Sequence, residues 1–152
     1  MPLPRDIVLS ACGTLSALGI GLEESAAAWQ EGEPACFPAT RVTPPAGADD
    51  LAGEVPAFAL ADLLATPKAY LDRQSELLLA AAALARQAGR LTAGRFAPER
   101  TGLAIGTAWG GVQTLDLFMA DYVAKGPRLV KPILFPHSYA NAAISLVAME
   151  WE

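Results

Sequence analysis

Apolar residues that recur every three to four positions predict four helices along this chain, because that spacing places them on one face of a helix. The clearest helix covers residues 70–89, where apolar side chains surround so much of the axis that we expect burial on at least two sides. We expect Ser138 or Asn141 to cap the last helix. The predicted helices are residues 22–31, 70–89, 112–124 and 138–149.

Short apolar runs between the helices predict buried strands at residues 6–12 and 100–106. Pro132 and Pro136 flank a third apolar piece, residues 133–135, which we expect to be extended. Residues 33–53 are rich in proline and glycine, and this composition favours an irregular loop. Strands that alternate with helices predict an α/β fold, with an incomplete, mostly parallel sheet and helices on its faces.

Composition supports a single domain over residues 1–152 and argues against a nucleic-acid partner. The chain is 53% hydrophobic and 18% charged, and much of its apolar content is alanine. This excess fits either a well-packed Ala-rich helical layer or a surface that contacts a missing half or a partner subunit. The net charge of −5 gives no basic footprint for nucleic acid.

The cysteine pattern predicts reduced thiols in a cytoplasmic protein, since Cys12 and Cys36 form neither a CxxC pair nor a zinc motif. Residues 9–12 spell a lipobox, but the acidic Asp6 leaves too short an apolar core for a signal peptide. The longest apolar run, residues 77–85, is far shorter than the ~20 residues of a membrane span. We therefore expect no contact with a membrane.

No self-contained active site can be read from the sequence, and no catalytic, cofactor-binding or metal-binding residue is assigned. The glycines of residues 106–111 join a strand to a helix, but their spacing fits neither GxGxxG nor GxxxxGK[ST]. We expect them to allow close packing of backbone against backbone. His137 is the only histidine, so it builds no catalytic pair or metal cluster. We expect its ring to bond to nearby backbone.

Four segments in order resemble the N-terminal part of the β-ketoacyl synthase (3-oxoacyl-acyl-carrier-protein synthase) family. Each segment alone is a weak signal, and the order and spacing of all four carry the resemblance. They are the opening strand and turn at residues 7–19, the Asp-Arg-x-Ser helix at 71–82, the strand and glycine turn at 100–111, and the segment from Gly126-Pro-Arg to Asn141-Ala-Ala at 126–143.

The resemblance implies a thiolase-like fold, of which this chain matches only part of the first half. The family performs decarboxylative condensation of acyl thioesters in fatty-acid or polyketide synthesis. Its nucleophilic cysteine follows the Asn-containing helix, and two catalytic histidines come later. Since none has a counterpart here and Cys12 aligns with a strand, we expect a domain truncated before the nucleophile and inactive alone. Two alternatives remain: a non-catalytic, chain-length-factor-like subunit that pairs with an active partner, and an unrelated small α/β binding protein.

The resemblance also implies partners and one pocket residue. Family members act on acyl carrier protein and form homo- or hetero-oligomers. The basic residues from Arg86 to Arg100 are either solvated surface or a landing site for that acidic carrier. Trp109 occupies the position that borders the family's acyl pocket, so it would restrict the enzyme to short acyl chains, unless it only fills a core or an interface. Residues 112–124 and 133–135 would lie near this pocket or the dimer interface.

Overall fold

The computed structural model describes residues 7–92 and 95–151, which form two compact units. The first unit consists of residues 7–57 and 84–91, and the second of residues 58–83, 92 and 95–151. The helices are α1 (Leu22–Glu31), α2 (Arg73–Ala88), α3 (Val112–Lys125), α4 (Leu134–His137) and α5 (Ala142–Glu150). The strands are β1 (Leu15–Ser16), β2 (Gly19–Ile20), β3 (Phe37–Pro38) and β4 (Leu51–Ala52), and 3₁₀ turns lie at Leu60–Asp62 and Pro98–Arg100.

In the first unit, α1 has the predicted bounds because local signals define both of its ends. Glu24 lies in its first turn, and the carboxylate oxygen Oε2 accepts a hydrogen bond from the backbone N–H of Ile20 at 2.9 Å. Gly32 ends the helix with a left-handed φ of 72°. The N–H of Glu33 then donates to the carbonyl of Ala28 at 3.0 Å, which satisfies one of the last helical carbonyls.

The predicted strand at residues 6–12 is wrong for the residues that are described, and Asp6 lies outside them. Residues 7–12 pair with no other strand, and Ile7, Val8 and Leu9 are exposed. An apolar run becomes a buried strand only when neighbouring backbone completes its hydrogen bonds. The pairing found nearby is a short antiparallel hairpin in which Leu15 faces Ile20.

The predicted loop at residues 33–53 is largely irregular, with one short antiparallel pair between β3 and β4. The carboxylate of Glu54 binds the chain just beyond β3. It accepts hydrogen bonds from the backbone N–H and the hydroxyl of Thr40, at 3.0 and 2.5 Å, and from the N–H of Arg41 at 2.8 Å. Thus one side chain holds together two parts of a segment that has little regular structure.

We expect Glu54→Gln to lower stability at neutral pH and to have no effect in acid. The hydroxyl of Thr40 and then the N–H of Arg41 lower the pKa of the Glu54 carboxyl from its ordinary value of 4.5. A lowered pKa stabilises the fold above the unfolded pKa, and this stabilisation is lost as pH falls through the folded pKa. Thermal unfolding at pH 7 and pH 3 measures the difference. The exposed Glu33→Gln is the control, and equal loss at both pH values would contradict the prediction.

The hydrophobic core lies in the second unit and joins the N-terminal two-thirds of α2 to α5. Its buried members are Leu64, Leu79, Ala83, Leu146 and Val147, with Trp151 among the half-buried side chains packed against them. From Arg73 to Arg86 every residue of α2 is buried or half-buried. This agrees with the predicted burial on more than one side.

The last helix is attached to this unit through charge as well as apolar contact. The ammonium of Lys68 pairs with the carboxylate of Glu150, and only 13% and 7% of these side chains are exposed. Such a half-buried pair is screened less by salt than an exposed one. The helix starts at Ala142, later than the predicted residue 138.

A parallel sheet is not seen among residues 7–92 and 95–151, where both strand pairs are antiparallel and helices dominate. The predicted strand at 100–106 forms no ladder, and Leu103 is 45% exposed. The reason is the same as for residues 7–12, since no neighbouring strand lies beside this segment. No helix in the described ranges has the length and apolar character needed to span a membrane.

Candidate functional site

The glycine turn before α3 is the best-defined local feature among the segments that carry the resemblance. The N–H of Gly110 donates to the hydroxyl of Thr107 at 3.0 Å, and Gly110 has a left-handed φ of 63°. The carbonyl of Gly111 accepts the first helical bond of α3, from Leu115 at 3.0 Å. The helix therefore begins at Val112, as predicted, and ends at Lys125, one residue beyond the predicted end.

Close packing of backbone against backbone, predicted for the glycines of residues 106–111, is found at Gly111 and not at Gly106, where a Cβ atom would meet nothing within 4 Å. A Cβ atom on Gly111 would lie 2.9 Å from the carbonyl oxygen of His137 and 3.2 Å from that of Ser138. On Gly110 it would lie 3.0 Å from the Cβ of Ala140. Real Cβ atoms essentially never lie within 3.0 Å of another heavy atom, so Gly111 is required for steric reasons, while Gly110 is favoured by its left-handed φ of 63° and by tight contact with Ala140. The turn therefore packs directly against residues 137–140.

The segment on which the turn rests is helical, and the prediction of extended structure for residues 133–135 is wrong. It forms α4, in which Phe135 donates to the carbonyl of Pro132 at 3.1 Å. Proline is compatible with a first helical turn, because N–H groups there have no intrahelical partner. Phe135 also lies between Phe118 of α3 and Tyr139, at ring-centroid distances of 5.7 and 5.1 Å.

His137 contributes to this contact through its backbone and not through its ring. The side chain is half-buried, and within the described chain its imidazole makes no hydrogen bond, so the predicted bond from ring to backbone is wrong. The predicted cap of α5 is also not formed. The Ser138 hydroxyl donates to the carbonyl of Phe135 at 2.8 Å, and Asn141 precedes the helix without a side-chain capping bond.

Trp109 projects from the turn with 83% of its surface exposed, which excludes the alternative that it fills a core in this structure. The helix that follows is exposed as well, since Thr114 is its only buried residue. Its apolar residues at helical spacing form what we call the α3 stripe, with exposed fractions between 44% and 53%. The α3 stripe consists of Val112, Leu115, Met119 and Tyr122. An exposed apolar stripe next to an exposed tryptophan indicates a contact surface.

Asp72 is a residue of this region for which no role was predicted. It is 3% exposed, and its two carboxylate oxygens serve two helices. Oδ1 accepts the N–H of Gln74 at 2.9 Å, and Oδ2 accepts the N–H of Thr114 at 2.9 Å. An aspartate directly before a helix is a capping signal, so the first bond was predictable from sequence. The second joins residues 42 positions apart and was not.

The basic residues considered for carrier binding differ in their surroundings. Arg86 donates through Nε to the carbonyl of Leu91 at 2.8 Å, so it closes the end of α2. The guanidinium of Arg95 lies 5.5 Å from the ring centroid of Phe96. Landing of an acidic carrier on these residues stays a prediction. Cys12 and Cys36 are both free and exposed thiols.

Comparison of the sequence finds relatives among condensing enzymes, although no protein-family model matches the chain. A 3-oxoacyl-acyl-carrier-protein synthase 2 from Staphylococcus aureus (strain COL) is 26% identical over 147 residues, which are 96% of this chain and 36% of that protein. The enzyme of the same name from a Synechocystis strain is 26% identical over 146 residues, or 95% of this chain and 35% of the enzyme. The chain thus spans about a third of the length of these relatives.

A solved structure shows the same likeness in three dimensions. The ishigamide ketosynthase/chain length factor superposes with a TM-score of 0.77 at 25% identity, covering 95% of this chain and 36% of that one. The resemblance to β-ketoacyl synthases that the four motifs predicted is therefore confirmed. The alternative of an unrelated small binding protein is set aside, and the fold is a partial, helix-rich version of a thiolase-like fold.

Proposed function

We propose that this chain, a relative of the β-ketoacyl synthases, is the N-terminal portion of such an enzyme in fatty-acid or polyketide synthesis. Residues 1–152 would form one ketosynthase N-terminal domain that ends before the nucleophile. The observation that carries the proposal is the TM-score of 0.77 over 95% of the chain, together with the glycine turn packed on residues 137–140. Its contribution is scaffold and one wall of the acyl pocket.

The chemistry explains why we assign no catalytic residue to this chain. Condensation needs a cysteine thiolate that takes the acyl group as a thioester and two histidines that assist decarboxylation and attack on that thioester. The chain has two cysteines and one histidine. Cys12 is the last residue of the unpaired segment 7–12, and Cys36 directly precedes β3. We propose that this chain alone does not condense acyl groups.

The mostly parallel sheet of the thiolase-like fold is also part of the proposal. Residues 7–12 and 101–106 lie in no helix or strand of the described chain. An unpaired segment of this kind can pair with a strand supplied from elsewhere. Because the chain spans only about 36% of its relatives, we propose that the remaining part of such an enzyme, or a partner subunit, supplies those strands.

We predict that Trp109→Ala, made in the natural polypeptide that contains this sequence, extends the accepted acyl chain. The indole projects from a rigid turn, and its removal opens space in the proposed pocket. We expect activity with long acyl carriers relative to short ones to rise about tenfold, since a few methylenes are each worth ~0.8 kcal/mol when buried. The control is Trp29→Ala, which removes a similarly exposed indole from α1. An unchanged acyl preference would contradict the pocket role of Trp109.

Partners follow from the same likeness and from the α3 stripe. We propose that a second ketosynthase-type subunit, identical or different, covers this stripe, and that acyl carrier protein delivers the substrate. The chain-length-factor-like alternative, a non-catalytic subunit paired with an active one, is supported by the solved relative, whose name includes a chain length factor. We propose a cytoplasmic location, because both thiols are exposed and free.

The intact mass of the native polypeptide, captured from its own cells and then assayed with acyl and malonyl carrier proteins, tests the proposal. A mass well above 15.8 kDa with condensing activity supports the enzyme portion. A mass of 15.8 kDa with a co-purifying active ketosynthase supports the non-catalytic subunit. A polypeptide that neither condenses acyl groups nor binds a ketosynthase would overturn both.

A further inference from the structure

We propose that Asp72 is a positioning residue that fixes the start of α3, and with it the turn that carries Trp109. Asp72 belongs to the Asp-Arg-x-Ser segment at the start of α2, 42 residues before its partner Thr114. The two hydrogen bonds that the Asp72 carboxylate accepts, one from each helix, are called the Asp72 bridge and are observed in this chain. Only the consequence of this bridge for an acyl site depends on the function proposed above.

The two oxygens of the Asp72 carboxylate accept hydrogen bonds from two different helices. A residue that only capped α2 would need one acceptor, and Asp72 provides it with Oδ1, which receives the N–H of Gln74. The second oxygen receives the N–H of Thr114, the third residue of α3. In a helix the first N–H groups have no intrahelical acceptor, and the first intrahelical bond here is that of Leu115. Asp72 therefore caps two helices at once.

The hydrogen bond between Asp72 and Thr114 is buried, and its acceptor is a carboxylate. Asp72 is 3% and Thr114 4% exposed, so water cannot replace the bond between them. In the described part of the chain no cation pairs with Asp72. Its charge instead faces the N-terminal ends of two helix dipoles, both of which favour an anion. Loss of the carboxylate would leave two N–H groups without their acceptor.

The hydrogen bond from Thr114 to Asp72 also restrains the turn that carries Trp109. The turn is held from one side by residues 137–140, which the Cβ positions of Gly110 and Gly111 would overlap. It is held from the other side by Asp72, through the N–H of Thr114. With the turn held on both sides, the backbone position of Trp109 is fixed. The Asp-Arg-x-Ser helix thus sets the position of a residue that is distant in sequence.

Asp72→Ser in the natural polypeptide separates the two roles, since serine caps a helix well but has one oxygen and cannot serve both N–H groups. Hydrogen exchange by mass spectrometry reports on the start of α3, and 5-fluorotryptophan NMR reports on Trp109. We expect exchange in residues 112–118 to rise about 10- to 100-fold, the value of one charged hydrogen bond. The resonance assigned to Trp109 should shift, while exchange at the start of α2 stays within about threefold.

The matched control is Asp116→Ser, which removes an exposed carboxylate from α3 itself and should leave both signals unchanged. If Asp72→Ser does not fold, the isosteric Asp72→Asn carries the same measurement. Unchanged exchange in residues 112–118, or a uniform rise across all peptides of the second unit, overturns the proposal. A polypeptide that shows the local rise but neither condenses acyl groups nor binds a ketosynthase supports the bridge and contradicts only the proposed function.

Discussion

Gly111→Ala should lower the free energy of unfolding by about 2–3 kcal/mol, the cost of overpacking a well-packed site. The new methyl group would lie 2.9 Å from the carbonyl oxygen of His137 and 3.2 Å from that of Ser138. Both obstacles are backbone atoms of α4 and the residue after it, so no side chain can rotate away. The φ of Gly111 is −80°, outside the left-handed region that favours glycine, so the close backbone oxygens are the main obstacle to alanine.

Urea denaturation of the variant measures this loss, and the same glycine-rich region offers two controls. A Cβ atom on Gly102 or Gly106 would meet nothing within 4 Å. Gly102→Ala and Gly106→Ala should therefore be neutral or stabilise slightly, because alanine reduces the freedom of the unfolded chain. If Gly111→Ala is as stable as the Gly106→Ala variant, the turn is not seated on α4 as described.

Leu79→Ala should be more damaging, with a loss of about 3–5 kcal/mol. Leu79 is 0% exposed and lies among Leu64, Leu146 and Val147 in the core of the second unit. Truncation removes buried methyl groups and leaves a cavity that the surrounding helices can close only in part. Because small domains are stable by about 5–15 kcal/mol, such a loss would bring this unit close to unfolding.

The control is the same substitution at an exposed position of another helix. Leu117 of α3 is 57% exposed, and Leu117→Ala should change stability by less than about 0.5 kcal/mol. Thermal or urea unfolding followed by circular dichroism gives both values. Equal losses for the two variants would mean that the core is not where the burial of Leu79 places it.

Helices governed by local signals were predictable from the sequence. The bounds of α1 agree with the prediction because acidic residues at its start and Gly32 at its end act within a few residues. For α3, the turn at Gly110 and Gly111 sets the start in the same way. The apolar positions of α2 predicted its burial, although the helix begins at Arg73 and not at residue 70.

Strands were not predictable, because a strand is defined by its partner, and that partner can lie far away in the chain. Residues 7–12 and 100–106 have the apolar composition of buried strands and remain unpaired. The pairs that do form, such as Leu15 with Ile20, lie in turn-rich sequence where a hairpin closes locally. The prediction of extended structure at residues 133–135 relied on the flanking Pro132 and Pro136. It is wrong because both prolines are compatible with the short helix α4.

The packing of the candidate site was predicted only in part, and its role in an acyl pocket stays a prediction. The close packing of the glycine turn followed from residue type alone. The position of Trp109 was named from family resemblance, but its 83% exposure depends on what surrounds the turn. The bond from Asp72 to Thr114 depends on how two helices meet, which local sequence does not encode.

The bond between Lys68 and Glu150 also has a consequence for how the protein is made. These residues lie 82 positions apart, and the core between them draws on both α2 and α5. α5 ends at Glu150, about 60 residues after α2 ends at Ala88, so at about 5–20 residues per second α2 waits roughly 3–12 s on the ribosome before α5 has been added. During that interval the apolar side of α2 is uncovered, so the nascent chain is a substrate for chaperones that bind exposed apolar segments.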